Sequence, residues 1–200
     1  MSIMSIKESW ALTIVRRMPH WLTAMHLTWL RFFLVIPLIW TLTNNWNAAS
    51  FAIFLVAALL DYLDGPLARY RHQVSNAGKL LDPLADKLIA MPVLIITGSH
   101  FIPWWLIVLT VGLEILLILM SSVLKLIFHR LGLSRPLGAN IFGKIKFSFQ
   151  VLACLLMLVL PVIPTTQLLL TCLWLVAALF AIISIIRHIT PTYDQNQINS

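Results

Sequence analysis

Hydrophobic residues in this chain gather in six long runs divided by short polar connections: 25–42, 48–67, 84–97, 104–128, 141–160 and 167–186. A helix that crosses the hydrocarbon core of a bilayer needs about 20 apolar residues, so each run predicts one span. The third is short because Asp82 and Asp86 interrupt its start, and its end runs on toward 99–101. Upstream, Ile3, Ile6, Trp10, Ile14 and Met18 recur at three- and four-residue spacing, with Lys7, Arg16 and Arg17 off that stripe. This pattern predicts an amphipathic helix over 1–20, lying in the headgroup region. Residues 21–188 then make one six-helix transmembrane domain, and the polar stretch 189–200 predicts a disordered tail. The expected fold class is all-α and integral to the membrane. The first residues carry no n-region, h-region and cleavage-site pattern of a signal peptide.

Composition agrees with that pattern. Of the 200 residues 60% are hydrophobic and only 10% charged. Soluble domains carry about 25% charged residues, so this chain cannot cover a globule with a soluble surface. The net charge of +7 raises nucleic acid as a partner, but the basic residues sit between apolar runs rather than along one polar face, and no nucleic acid is expected. Cys154 and Cys172 both fall inside apolar runs and predict small hydrophobes in lipid, not a disulfide or a metal cluster.

Charge also orients the spans. All 14 Lys and Arg lie in the N-terminal segment, around the connections after the second and fourth runs, at the cytoplasmic edges of the adjoining runs, or after the sixth. The connections at 43–47, 98–103 and 161–166 hold none. The positive-inside rule therefore places both termini and the basic connections in the cytoplasm. Trp21, Trp29, Trp40, Trp46, Trp104 and Trp105 cluster near run ends, as an interfacial belt requires.

Seven acids are present, and four of them flank one basic connection. Asp61 and Asp64 are three apart at the end of the second run; Asp82 and Asp86 are four apart at the start of the third. Residues three and four apart share a helix face. A short connection makes the two helices antiparallel neighbours, so the pairs can converge near the cytoplasmic interface. Carboxylates so gathered suit a hard divalent cation. Spacing alone also allows interfacial salt bridges to Arg69, Arg71, Lys79 and Lys87.

The full string from Asp61 is DYLDGPLARYRHQVSNAGKLLDPLAD, which reads D-x2-D-G-x2-A-R-x8-G-x3-D-x3-D without a mismatch. It resembles the motif of the CDP-alcohol phosphatidyltransferase family, whose six-span architecture also agrees. The resemblance implies a centre of two ions, Mg²⁺ or Mn²⁺, held by Asp61, Asp64, Asp82 and Asp86, with Asp86 as general base. It implies CDP-lipid contacts from Asp61, Gly65, Ala68, Arg69 and Gly78. Glycines permit close backbone approach to a nucleotide, and the Arg69 guanidinium suits a diphosphate. It further implies a homodimer among membrane lipids, in a bacterial inner membrane, with the active site facing the cytoplasm.

The donor is then CDP-diacylglycerol, and the acceptor is the open question. FGKIKFSFQ (142–150) resembles the G-K-x-K-T segment of family members that take glycerol 3-phosphate. The expected acceptor contacts are Lys144, Lys146, Glu114, Arg130 and Arg135; Lys144 and Lys146 can equally be positive-inside flanks. Two departures from the family pattern bear on this. A span-four A-R-E-I segment becomes Gly112-Leu113-Glu114-Ile115, which keeps the Glu, removes a cation and leaves Glu114 needing Lys144, Lys146 or a proton. The pattern P-N-x-L-T-x-x-R resembles MPHWLTAMH (18–26), with His20 for Asn and His26 for Arg. A shifted reading, LTWLR at 27–31, recovers Thr28 and Arg31 but loses Pro-Asn; the first register is preferred because Pro19, Leu22 and Thr23 all fit.

The expected function is metal-dependent transfer of a phosphatidyl group from CDP-diacylglycerol to glycerol 3-phosphate, with release of CMP. The same chemistry with phosphatidylglycerol, inositol phosphate or serine as acceptor stays open. A small cation transporter, with the four aspartates as its pathway, is the reading from another class. It predicts acids near the bilayer midplane, whereas these sit at one interface.

Overall fold

The computed structural model of the chain describes residues 14–19, 22–71, 87–130 and 141–189. Every regular element among them is helical. After a short helical stretch at 14–17 come α1 (Ala24–Thr43), α2 (Asn47–Tyr70), α3 (Lys87–His100), α4 (Trp104–Arg130), α5 (Ile141–Val159) and α6 (Pro164–Ile189). These limits follow the six hydrophobic runs within a few residues. Among the described residues four helices, α1, α2, α5 and α6, are long and apolar enough to cross a membrane, and the chain is an integral membrane protein. Two compact units share the chain: Met1–Gly98 with Cys154–Pro161, and Ser99–Ala153 with Val162–Ser200.

In the first unit α1 and α2 form an antiparallel hairpin. Its turn is tight. Trp46 N–H donates to the Thr41 carbonyl at 2.9 Å and Asn45 N–H to Leu42 at 3.1 Å. Asn45 takes φ 56°, a left-handed conformation that Asn tolerates better than most residues. Beside the turn, Ser50 Oγ donates to Thr41 Oγ1 at 2.9 Å, which satisfies two hydroxyls away from water. Trp40 and Trp46 meet edge-on there, ring centroids 4.8 Å apart and both exposed, as an interfacial anchor would be.

The seam between the two helices is written at helical spacing. On α1 it buries Leu27, Thr28, Arg31, Leu38, Thr41 and Leu42. On α2 Ser50, Phe54, Ala57, Asp64 and Leu67 are buried, with Asp61 half-buried on the same stripe. Small residues such as Ser50 and Ala57 let the helices approach closely where lipid offers no hydrophobic drive to pair them. Toward the other end of the hairpin, Val15, Leu27 and Leu67 form a cluster flanked by Met18, Leu22, Leu60 and Leu63. Val15 rather than Ile14 makes this contact; Ile14, on the expected amphipathic stripe, is 48% exposed. The stripe's residues 1–13 lie outside the described residues.

Helix α3 changes its winding. A π-helical stretch over Val93–Thr97 follows Pro92 and tightens to 3-10 at Gly98–His100. Proline removes a backbone donor, and a π-bulge is one way a helix absorbs such a break. Gly98 packs where a Cβ would stand 3.2 Å from Leu94 Cδ1.

In the second unit α4 packs on α6. Phe180 of α6 stacks on Phe142 and Phe149 of α5, with centroids 6.2 and 6.0 Å apart, and the Arg187 guanidinium lies 5.0 Å over the Phe142 ring. Gln167 Nε2 donates to the His100 carbonyl at 3.1 Å and joins the start of α6 to the segment before α4.

Candidate active site

Asp61 and Asp64 lie near the C-terminal end of α2, on the stripe that faces α1. Both carboxylates turn to Arg31. Arg31 Nη1 donates to Asp61 Oδ1 at 2.6 Å, and Nη2 donates to Asp64 Oδ2. Arg31 is 1% exposed; the Asp61 side chain keeps 24% and that of Asp64 11%. Two ionised carboxylates one turn apart repel, and a planar guanidinium with forked donors is the side chain best shaped to bridge them. The trio still carries one net negative charge if all three groups are ionised.

Arg31 lies outside the site residues that the sequence predicts, and it is Arg31, not His26, that the structure brings to the two carboxylates. His26 does not reach the carboxylates. It sits in the first turn of α1, where its Nδ1 accepts from Thr23 N–H at 3.1 Å and stands 2.7 Å from Thr23 Oγ1, while Thr23 Oγ1 accepts from His26 N–H. This is a capping box with an imidazole in the place of the usual Glu or Gln. Five residues further on, Arg31 emerges on the hairpin seam. A signal for it existed: the turn centres on residue 45, and reflection about it sets 31 opposite 59, beside Asp61.

Arg71, expected as a possible salt-bridge partner, is occupied by backbone. Its guanidinium donates to the carbonyls of Met18 (3.0 Å), Pro19 (2.9 Å) and Leu22. It thus ties the segment before α1 to the end of α2, just beyond the carboxylates.

The donor set fits a hard divalent cation as far as it is described. Asp61 Oδ1 and Asp64 Oδ2 accept from Arg31, and carboxylate oxygens are the donor type that such a cation takes. Among the described residues no His, Cys or further acid joins them as a third ligand. Asp82, Asp86, Gly78 and Arg135 lie outside the described residues, as do the side chains of Arg69 and Arg130. Gly65 follows Asp64 directly, and a Cβ built there would meet nothing within 4 Å among the described residues. Helix α2 continues through Gly65 and Pro66 to Tyr70; Pro66 lies inside the helix, where it cannot supply the N–H that a helix would direct to the carbonyl four residues back.

Two of the expected acceptor residues meet each other in the second unit. Lys146 Nζ donates to Glu114 Oε1 at 2.7 Å, and Gln150 Nε2 donates to the same oxygen at 2.7 Å. All three are buried: Glu114 is 1% exposed, Lys146 and Gln150 5% each. Lys144, two residues before Lys146, is exposed. Gln150 was missed in the sequence, although it stands one turn from Lys146 on the same face.

The chain matches the CDP-alcohol phosphatidyltransferase family over residues 21–187. It belongs to that family and is a transferase, which decides between the enzyme and transporter readings. Among similar proteins is the CDP-diacylglycerol–glycerol-3-phosphate 3-phosphatidyltransferase of Sodalis glossinidius (strain morsitans), 33% identical over 144 residues, 72% of this chain and 77% of that protein. Proteins of the same name from Bacillus subtilis (strain 168) and Escherichia coli (strain K12) are 34% identical over 108 residues and 32% over 117. These matches cover 54% and 58% of this chain, and 53% and 64% of those proteins.

Proposed function

We propose that this enzyme transfers the phosphatidyl group of CDP-diacylglycerol to glycerol 3-phosphate and releases CMP. The observation that carries the reading is the pair Asp61 and Asp64, turned to one face at the end of α2 inside a complete family motif. The names of the relatives above supply the acceptor.

In this reading Asp61, Asp64, Asp82 and Asp86 hold two divalent ions, Mg²⁺ or Mn²⁺. When bound, the ions neutralise the diphosphate oxygens and the charge that develops on departing CMP. Asp86 accepts the proton of the acceptor hydroxyl. That hydroxyl oxygen bonds to the lipid-side phosphorus, the bridging P–O bond to the cytidylyl phosphate breaks, and CMP carries away the bond's electron pair. Gly65 and Gly78 admit the nucleotide close to backbone, Ala68 leaves room beside it, and Arg69 binds the diphosphate. Arg31 fixes the orientation of the first two carboxylates, the supporting role that outer partners play around metal ligands. Lys144 meets the phosphate of the acceptor, with Arg130 and Arg135 as further cations.

The six hydrophobic runs and the one-sided distribution of Lys and Arg support six spans, an N-terminal interfacial helix and a cytoplasm-facing active site in a bacterial inner membrane. The enzyme works as a homodimer, as its family resemblance implies.

Leu113, where family members with this acceptor often carry Arg, favours phosphatidylglycerol as the second candidate acceptor, because a lipid is held by its tails as well as its headgroup. The test is CMP release from CDP-diacylglycerol in detergent micelles, one acceptor at a time. Release with glycerol 3-phosphate supports the proposal. Release with phosphatidylglycerol alone moves the enzyme to the second acceptor.

A further inference from the structure

Helices α4 and α5 share a buried polar cluster to which the reaction steps above give no task. Glu114 continues the buried face Leu106–Thr110–Glu114 of α4, one residue per turn. Lys146 and Gln150 open the buried stripe of α5 that continues through Ala153, Cys154 and Met157. Both donate to Glu114 Oε1 at 2.7 Å. Lys144 lies two residues from Lys146, about 200° around a helix of 3.6 residues per turn, and it is exposed. The two lysines of one short segment are thus turned to opposite faces, and among the described residues only Lys146 is tied to a carboxylate.

We propose that Lys146 is a positioning residue rather than an acceptor contact. With Glu114 and Gln150 it forms a clasp that fixes the rotation of α5 and so keeps Lys144 turned outward for the acceptor phosphate. The physical argument is the cost of the alternative. If Lys146 swung to a phosphate, it would strand an ionised Glu114 in a 1% exposed site, where breaking one half of an ion pair is strongly unfavourable. Among the described residues Lys144 leaves no such carboxylate behind. Glu114 acts here as the anchor of the clasp, which assigns a task to the acid that the segment keeps while its neighbour is Leu113. The role given to Lys144 rests on the acceptor reading above; the clasp itself does not.

A cycle of variants separates the two. Glu114→Leu and Lys146→Met each break the clasp, while the double variant, made together with Gln150→Leu so that no buried amide loses its acceptor, replaces the buried cluster by apolar side chains, a change that proteins tolerate well. Thermal unfolding in detergent is read beside kinetics in glycerol 3-phosphate at saturating CDP-diacylglycerol. The single variants are expected to lose stability and kcat. The double variant is expected to regain most of both, with an acceptor KM within about twofold of the parent enzyme's. Lys144→Met is expected to raise the acceptor KM about tenfold or more at unchanged stability. If Lys146→Met does not survive extraction, Lys146→Gln keeps a donor to Glu114 and carries the same comparison. A double variant that is stable but has an acceptor KM raised about tenfold would make Lys146 a ligand and overturn the proposal. A double variant no more stable than the single ones would overturn the clasp. A parent enzyme that ignores glycerol 3-phosphate defeats the acceptor reading instead, and the stability cycle still decides the clasp.

Discussion

Arg31 reaches across the α1–α2 hairpin and gives one guanidinium N–H to Asp61, at 2.6 Å, and another to Asp64. A cation 1% exposed inside an apolar hairpin is costly unless compensated, and so are two carboxylates on one face. Each makes the other tolerable. The same bond sets the side-chain orientation of two residues at the head of the family motif. Arg31→Gln should therefore lower stability by about 3 kcal/mol, the scale for breaking one side of a buried pair. Thermal unfolding in detergent checks this. Arg31→Lys keeps the charge but cannot fork to both acids, and is expected to recover only part of the loss.

Gly65 offers a prediction in which stability and activity part. It sits within α2, and an added Cβ would meet nothing within 4 Å among the described residues. Alanine is a better helix former than glycine by roughly 1 kcal/mol, so Gly65→Ala should leave the protein as stable or more so. If the open backbone there receives the nucleotide of the donor, the same change should raise KM for CDP-diacylglycerol. Unaltered donor KM would remove Gly65 from the binding site.

Arg71 is expected to act through the backbone carbonyls it holds. Its bonds to the carbonyls of Met18, Pro19 and Leu22 fasten the segment ahead of α1 onto the end of α2. Hydrogen bonds to a charged donor contribute about 1.5–3 kcal/mol each at most, and three from one side chain are not additive. Arg71→Ala should speed amide hydrogen exchange in residues 22–27 while leaving exchange in α6 unaffected. Unchanged exchange at 22–27 would show that the Val15–Leu27–Leu67 cluster holds the segment without it.

Much of this was legible in the sequence because hydrophobic runs and fixed spacings are local properties. The helix limits came from runs of apolar residues, and the acids came from a motif whose spacing fits one helix face. What escaped was decided across the hairpin. Whether His26 or Arg31 faces the acids depends on how far each lies from the turn at Asn45, a register that pattern matching to Pro19, Leu22 and Thr23 does not contain. For Glu114 the sequence leaves Lys144, Lys146 or a proton open; the buried stripe of α5 brings Lys146 to it and adds Gln150. In the short stretch at 14–17, packing on Leu27 and Leu67 selected Val15 over Ile14, because contact with a helix pair outweighs a surface periodicity.

Divalent metal should be an absolute requirement. Removal with EDTA is expected to abolish CMP release, and Mg²⁺ or Mn²⁺ to restore it. Asp61→Asn should raise the metal concentration needed for half-maximal rate, since it withdraws one charged oxygen donor while still accepting from Arg31. Full activity in EDTA would contradict the two-ion centre.

The most direct test of the account is CMP release from CDP-diacylglycerol with glycerol 3-phosphate and Mg²⁺, comparing the parent enzyme with Asp64→Asn and Asp86→Asn. The account predicts CMP formed in step with phosphatidylglycerophosphate by the parent. It predicts losses of about 10²-fold or more in both variants, with CDP-diacylglycerol binding largely kept in Asp86→Asn. Undiminished turnover in the variants, or a parent enzyme that releases no CMP with this acceptor, would contradict it.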